Sequence, residues 1–152
     1  MDAEALDLLR RSLALTLDTE GRWLHEGAHF DNQRIADLFS RGIDLHPETQ
    51  EAVVHIGNQW AYFTPVDEPY IALRLIFGDG TLEAELNTFS TVPLGTDSLL
   101  CSEEGVIYAR LDERRVARLS RRAHAQLTDV VEETEAGPVV QVGDQVWPIN
   151  ER

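Results

Sequence analysis

Apolar residues at Ala5, Leu6, Leu9 and Leu13 recur at helical spacing and predict a short amphipathic helix within residues 3–14. The period then changes to that of strands. Leu15-Thr-Leu-Asp18 and Trp23-Leu-His25 stand on either side of Thr19-Glu-Gly21, a hairpin signal. After them Asp31 occupies the place of a helix N-cap, with Phe30 and Ile35 positioned as a hydrophobic staple around it. Ile35, Leu38 and Phe39 give that helix a buried stripe, and Gly42 gives it a stop. Ala52–Ile56 and Trp60–Phe63 flank Gly57-Asn58 as a second hairpin, and Tyr70–Phe77 and Thr81–Phe89 flank Gly78-Asp-Gly80 as a third. In the last return strand Leu82, Ala84 and Leu86 alternate with Glu83 and Glu85, so one face is expected to meet water. Thr91–Ser98 reads as a Pro/Gly connection rather than a strand.

The pattern then begins again. Leu99–Tyr108, with Gly105 in its turn, parallels Leu15–Leu24 with Gly21. Leu111-Asp112 followed by Arg115-Val116-Ala117 parallels Phe30-Asp31 followed by Arg34-Ile35-Ala36, and Val139–Gln145 parallels Val53–Gln59. Matching turn and cap chemistry in both halves predicts an internal repeat. The expected fold is α+β: two similar hairpin–helix–hairpin lobes of mainly antiparallel strands, preceded by a short helix. The expected divisions are 1–14, the N-terminal helix; 15–66, the first lobe; 67–98, a central hairpin and connection; and 99–152, the second lobe. A groove is expected where the lobes meet.

Composition narrows the chemistry. The chain has 152 residues and a formal net charge of −14, with all 13 of its basic residues arginine. Without lysine, Schiff-base catalysis and lysine-centred phosphate loops are excluded. The acidic balance opposes nucleic acid and anionic membrane surfaces, and it suits a basic protein partner. Cys101 is the only cysteine, so no intrachain disulfide forms. No signal-peptide pattern opens the sequence and no apolar run reaches membrane-spanning length, so a cytoplasmic location is expected.

One motif invites an enzymatic reading. His25-Glu26-Gly27-Ala28-His29 matches H-E-x-x-H, in which two histidines one helical turn apart grip zinc while the glutamate activates water. That chemistry needs a helix. Here the motif holds a glycine, follows a strand and precedes a helix cap, so it is placed in a strand-to-helix loop. No metal or other cofactor is expected, and zinc-dependent hydrolysis through His25, Glu26 and His29 is the alternative.

Elsewhere Arg114, Arg115, Arg118, Arg121 and Arg122 fall on one face of a helix predicted over 112–131, opposite Val116, Leu119, Ala123, Leu127 and Val130. In so acidic a chain they are the leading candidates for docking an anionic ligand or an acidic segment. Trp23 and Tyr108, in equivalent strands of the two lobes, are candidates for lining the groove.

Several segments resemble a bacterial family of unknown function, DUF 1285. They are Gly21-Arg-Trp-Leu-His-Glu-Gly27 before a helix with Leu38-Phe39, Asp67-Glu-Pro-Tyr70 entering a strand, and Leu86-Asn-Thr88 with Val92-Pro-Leu-Gly95. Val106-Ile-Tyr-Ala-Arg-Leu111 before a helix and the closing Gly143–Ile149 strand extend the resemblance over Leu15 to Ile149. Around Gly57-Asn58 the chain departs from the family, which carries a Pro-Val-Glu-Lys stretch there. The resemblance implies a strand-rich α+β fold with repeated lobes, no established activity, and a role in ligand binding or signalling. The chain is accordingly expected to be a non-enzymatic binding or regulatory module with a small-molecule or protein partner. Masking of a basic protein is a further alternative, and homodimer formation stays open.

Overall fold

The computed structural model of the chain describes residues 2–152, which divide into two compact units, one ending at Pro69 and one running from Tyr70 to Arg152. The first unit begins with helix α1 (Ala3–Arg11), capped by the Asp2 side chain, which accepts from the Ala5 N–H at 2.8 Å. Strands β1 (Leu15–Leu17), β2 (Trp23–His25) and β3 (Ala28–His29) lead to helix α2 (Gln33–Arg41). Strands β4 (Ile43–Leu45), β5 (Ala52–Ile56), β6 (Gln59–Tyr62) and β7 (Thr64–Pro65) complete the unit. They form two sheets, β3-β2-β1-β7 and β4-β5-β6. Neighbours are antiparallel except β7, which returns to lie parallel to β1 with Leu17 opposite Pro65.

Trp23 holds this unit together. Its ring lies 4.8 Å from Phe63, 5.6 Å from Phe39 and 6.3 Å from Phe30 by centroids, and its indole N–H donates to Ser40 Oγ at 2.9 Å. An indole buried with its polar tip satisfied contributes its full apolar area without a desolvation cost. Leu15, Leu17, Val53 and Val54 are buried with it.

The second unit opens with β8 (Tyr70–Phe77), β9 (Leu82–Leu86) and β10 (Thr91–Pro93). Then come β11 (Leu99–Cys101), β12 (Ile107–Arg110), β13 (Val116–Leu119), α3 (Arg121–Val130), β14 (Val131–Thr134), β15 (Gly137–Val142), β16 (Gln145–Pro148) and β17 (Asn150–Glu151). From β11 onward the elements repeat β1 to β7 in order. The sheet β13-β12-β11-β17 matches β3-β2-β1-β7, including a last strand parallel to the first, and β14-β15-β16 matches β4-β5-β6. The turns match as well, with Gly21 and Gly105 at φ 83° and 85° and Gly57 and Gly143 at φ 59° and 60°. The repeat is therefore a property of the backbone. The second unit adds β8-β9-β10 to the β13 edge, which makes a seven-stranded sheet.

The structure corrects the sequence reading at four places. The second helix begins at its cap Ser120, and Val116–Leu119 is a strand whose alternating burial gives it away. Asp112 imitates a cap because its carboxylate accepts from the Arg114 and Arg115 N–H groups at 2.9 and 2.8 Å, the same chemistry used in a turn. In the first unit the cap is Asn32 rather than Asp31, which moves Phe30 and Ile35 off the staple positions. Thr91–Pro93, expected as a connection, pairs with β9 as an edge strand. The segment Ala28–His29, expected as loop, is the return strand of a two-residue hairpin.

Gly42 stops α2 as expected, and it does so where the chain crosses closest to β5. A Cβ there would run into the His55 carbonyl, while the Gly42 carbonyl accepts from the His55 N–H at 2.8 Å. Gly42→Ala is expected to destabilise the protein by about 1–3 kcal/mol, measured as a shift in the urea unfolding midpoint.

Candidate functional site

Alignment of the two units by cap and by strand register shows where they differ. Counted from their caps, Ile35, Leu38 and Phe39 of α2 stand where Ala123, Gln126 and Leu127 stand in α3. In the second unit those positions serve the packing of α3 on β8. Ala123 and Leu127 are 0% and 2% exposed, and Gln126 grips the β8 backbone at Leu75, donating to its carbonyl at 2.9 Å and accepting from its N–H at 2.8 Å. The first unit's sheet ends at β3, and among the described residues it has no strand in the position of β8. Ile35 is accordingly 45% exposed and Leu38 48% exposed. A cleft of about 460 Å³ runs along this surface, lined by Leu13, His25, Ala28, Phe30, Ile35 and Phe39 among others.

A second difference lies in the three-stranded sheets. Val54 pairs with Ala61 in the first unit as Val140 pairs with Trp147 in the second. Trp147 is buried, and its indole N–H donates to the Leu94 carbonyl at 3.0 Å. At the Ala61 position there is instead a cavity of about 300 Å³, lined by Leu6, Leu9, Leu13, Phe39, Val54, Ala61, Trp60 and neighbouring residues. The two cavities share Leu13, Leu15 and Phe39.

Helix α1 forms the outer wall of the smaller cavity and buries no residue of its own. Polar pins hold it instead. The Arg10 guanidinium lies 3.9 Å over the Trp60 ring and that of Arg11 lies 3.9 Å over Tyr62, two rings that share a face of β6 because alternate strand residues point the same way. Arg11 also donates to both Glu51 oxygens at 2.8 and 3.0 Å and to Asp7 at 2.9 Å. The hydrogen bonds from Arg11 hold the carboxyls of Asp7 and Glu51 below their ordinary range, and those to Glu51 and Asp7 raise the Arg11 pKa. Burial, then the hydrogen bond with Asp7, pushes the Tyr62 phenol up.

The residues singled out in the sequence are scattered. Arg114 and Arg115 lie in the β12–β13 loop, Arg118 is on β13 opposite Tyr108, and Arg121 and Arg122 open α3. No single helical face carries all five. Arg115 is engaged by Asp112 at 2.7 Å. Trp23 is core rather than groove lining, and Tyr108 is buried with the Arg152 guanidinium 3.9 Å over its ring. His25 pairs with Ala28 and Leu24 with His29, so the two histidines of the H-E-x-x-H match alternate on a hairpin ribbon instead of sharing a helical face, and both border the cleft beside α2. Glu26 and Gly27 form its turn at φ 51° and 85°. Among the described residues no group of three or more His, Cys, Asp or Glu side chains is placed to hold a metal ion. No helix among them is long and apolar enough to cross a membrane.

The sequence reading missed the site around α1. The signals were present in Arg10-Arg11 closing an amphipathic helix and in the half-buried pair Trp60 and Tyr62, spaced for one strand face.

These features define an α+β domain of two repeats, of which the first keeps open what the second fills. Two solved structures share this fold. A DUF1285 family protein from Silicibacter pomeroyi DSS-3 aligns with a TM-score of 0.69 at 13% identity over 90% of this chain and 79% of that one. Another from Shewanella baltica OS155 aligns with a TM-score of 0.58 at 12% identity over 78% of this chain and 92% of that one. The chain thus shares the fold of these two DUF1285 family proteins, the family that its sequence resembles. No family model and no curated protein matches it.

The α1 tether has a predictable pH dependence. A carboxyl whose pKa is lower folded than unfolded contributes stability above its unfolded value, and that contribution is lost as pH falls through the folded one. The ordinary values are 3.8 for Asp7 and 4.5 for Glu51, so α1 is expected to stay docked above these and to loosen at lower pH. The ¹⁵N heteronuclear NOE of the α1 amides should fall in that range before the signals of β5 and β6 change.

Proposed function

We propose that this protein is a binding module whose receiving surface is the first unit, where an extended segment of a partner chain adds to the β3 edge and covers α2. The observation that carries this reading is the internal comparison. In the second unit the equivalent helix and strand are covered by β8, which runs parallel to β13 with Tyr70, Ile71 and Ala72 opposite Ala117, Arg118 and Leu119. The first unit presents the equivalent edge, shorter at two strand residues against four, and a more apolar helix face, since Leu38 replaces the gripping Gln126. Main-chain pairing at a sheet edge supplies affinity, and pockets for alternate side chains supply selectivity.

Charge specifies the partner further. Asp31 lines the cleft within a chain of net charge −14, while on α2 Arg34 and Arg41 offset Asp37, so the bound segment is apolar and basic flanks are favoured by the acidic chain as a whole rather than by α2. Such a module serves a regulatory role without chemistry of its own.

A peptide copying residues 69–78 with two arginines added at each end is the direct probe. Saturable binding measured by fluorescence anisotropy is expected, with loss of about tenfold or more in affinity in the Ile35→Asp, Leu38→Asp double variant. Both side chains are already half exposed, so the thermal midpoint of that variant should stay near the parent's. Undiminished peptide binding to the variant would sink the reading.

A further inference from the structure

The cavity at Ala61 is a separate matter from strand addition, and the repeat itself indicates what fits it. At the equivalent position of the second unit the chain supplies an indole, buried and hydrogen-bonded at its polar edge to the Leu94 carbonyl. In the first unit the same Val–x pairing presents a methyl group, and the space beside it measures about 300 Å³. That is the lower end of the roughly 300–1,000 Å³ found for ligand clefts, so a small ligand is indicated. The lining is almost wholly apolar: Leu9, Leu13, Phe39, Val54 and Ala61 contribute no hydrogen-bonding side chain. Apolar cavities of this kind accept aromatic rings readily.

The mouth is different in character. Arg10 lines it, with its guanidinium over Trp60, and makes no ion pair among the described residues. Its neighbour Arg11, by contrast, is occupied by Asp7 and Glu51. A cation stacked on an aromatic ring is held in place while its edge N–H groups stay able to donate to a carboxylate. Gln59 adds an amide at the same rim.

We infer that the first unit holds a binding site for a small planar aromatic carboxylate. Its ring system occupies the space beside Ala61 that an indole fills in the second unit, and its carboxylate is received by Arg10. Helix α1 closes over the ring, which explains why the helix is fastened by arginine–aromatic and ion-pair contacts at its C-terminal end and leaves none of its side chains fully buried. The inference needs the cavity and Arg10, and it stands whether or not a peptide adds to β3.

Isothermal titration with 2-naphthoate, and in parallel with the neutral naphthalen-2-ylmethanol, tests it on the whole chain. The carboxylate should bind with one-to-one stoichiometry, and more tightly than the alcohol. Ala61→Trp, which copies the second unit, should weaken both ligands by about tenfold or more. Arg10→Gln also removes one pin of α1, so it should weaken both ligands, and the carboxylate by about tenfold more than the alcohol, since only the carboxylate loses a charge-assisted contact as well. Failure of both ligands to bind, or undiminished binding of both to a folded Ala61→Trp protein, overturns the site. Equal effects of Arg10→Gln on the two ligands overturn the carboxylate while leaving the cavity. Should Ala61→Trp not fold, the Arg10→Gln comparison still decides between these outcomes.

Discussion

A helix with an apolar face must have something to lie on, and the two repeats of this chain meet that requirement differently. In the second unit β8 supplies the support, with Ala123 and Leu127 packed away and Gln126 locking the β8 backbone. Burying those side chains contributes about 1.5–3 kcal/mol for a leucine, and the two side-chain hydrogen bonds add direction to what is otherwise non-directional packing. In the first unit the same backbone plan ends one strand earlier. Trp23, with its ring cluster and its bond to Ser40, anchors the inner side of α2, and the outer side carries Ile35 and Leu38 into solvent.

The same contrast recurs at the other sheet. One repeat invests a tryptophan at position 147 and ties it to Leu94, and the other holds an alanine at 61 and lays α1 across the gap. Because no side chain of α1 is fully buried, its attachment is largely electrostatic and aromatic: Arg10 on Trp60, Arg11 on Tyr62, and Arg11 between Asp7 and Glu51. Contacts of that kind are individually modest and respond to pH and salt, so α1 belongs to the part of the molecule that opens most easily.

Much of the architecture was legible in the residues. The repeated turns at Gly21 and Gly105 and at Gly57 and Gly143 carry the φ values that their type requires, and the hairpins lie where the alternation placed them. What misled was a cap that is not a cap. Asp112 satisfies the amides of a turn as Asn32 satisfies those of a helix, and five arginines were drawn onto a helix that begins only at Ser120. The site was less legible for a different reason. Its identity lies in what β8 and Trp147 do in one repeat and what is absent from the other, a relation between distant segments that no local pattern records. Short strands such as β7 and β17, which close each unit in parallel, carry too few residues for any periodicity.

The central claim is that the two repeats share a backbone and differ in how their helices are covered, and amide hydrogen exchange reads that difference directly. Protection factors for the α3 amides between Ala123 and Val130 should exceed those of the α2 amides between Ala36 and Arg41 by orders of magnitude, with α1 the least protected of the three. Equal protection of α2 and α3 in the isolated chain would contradict the account.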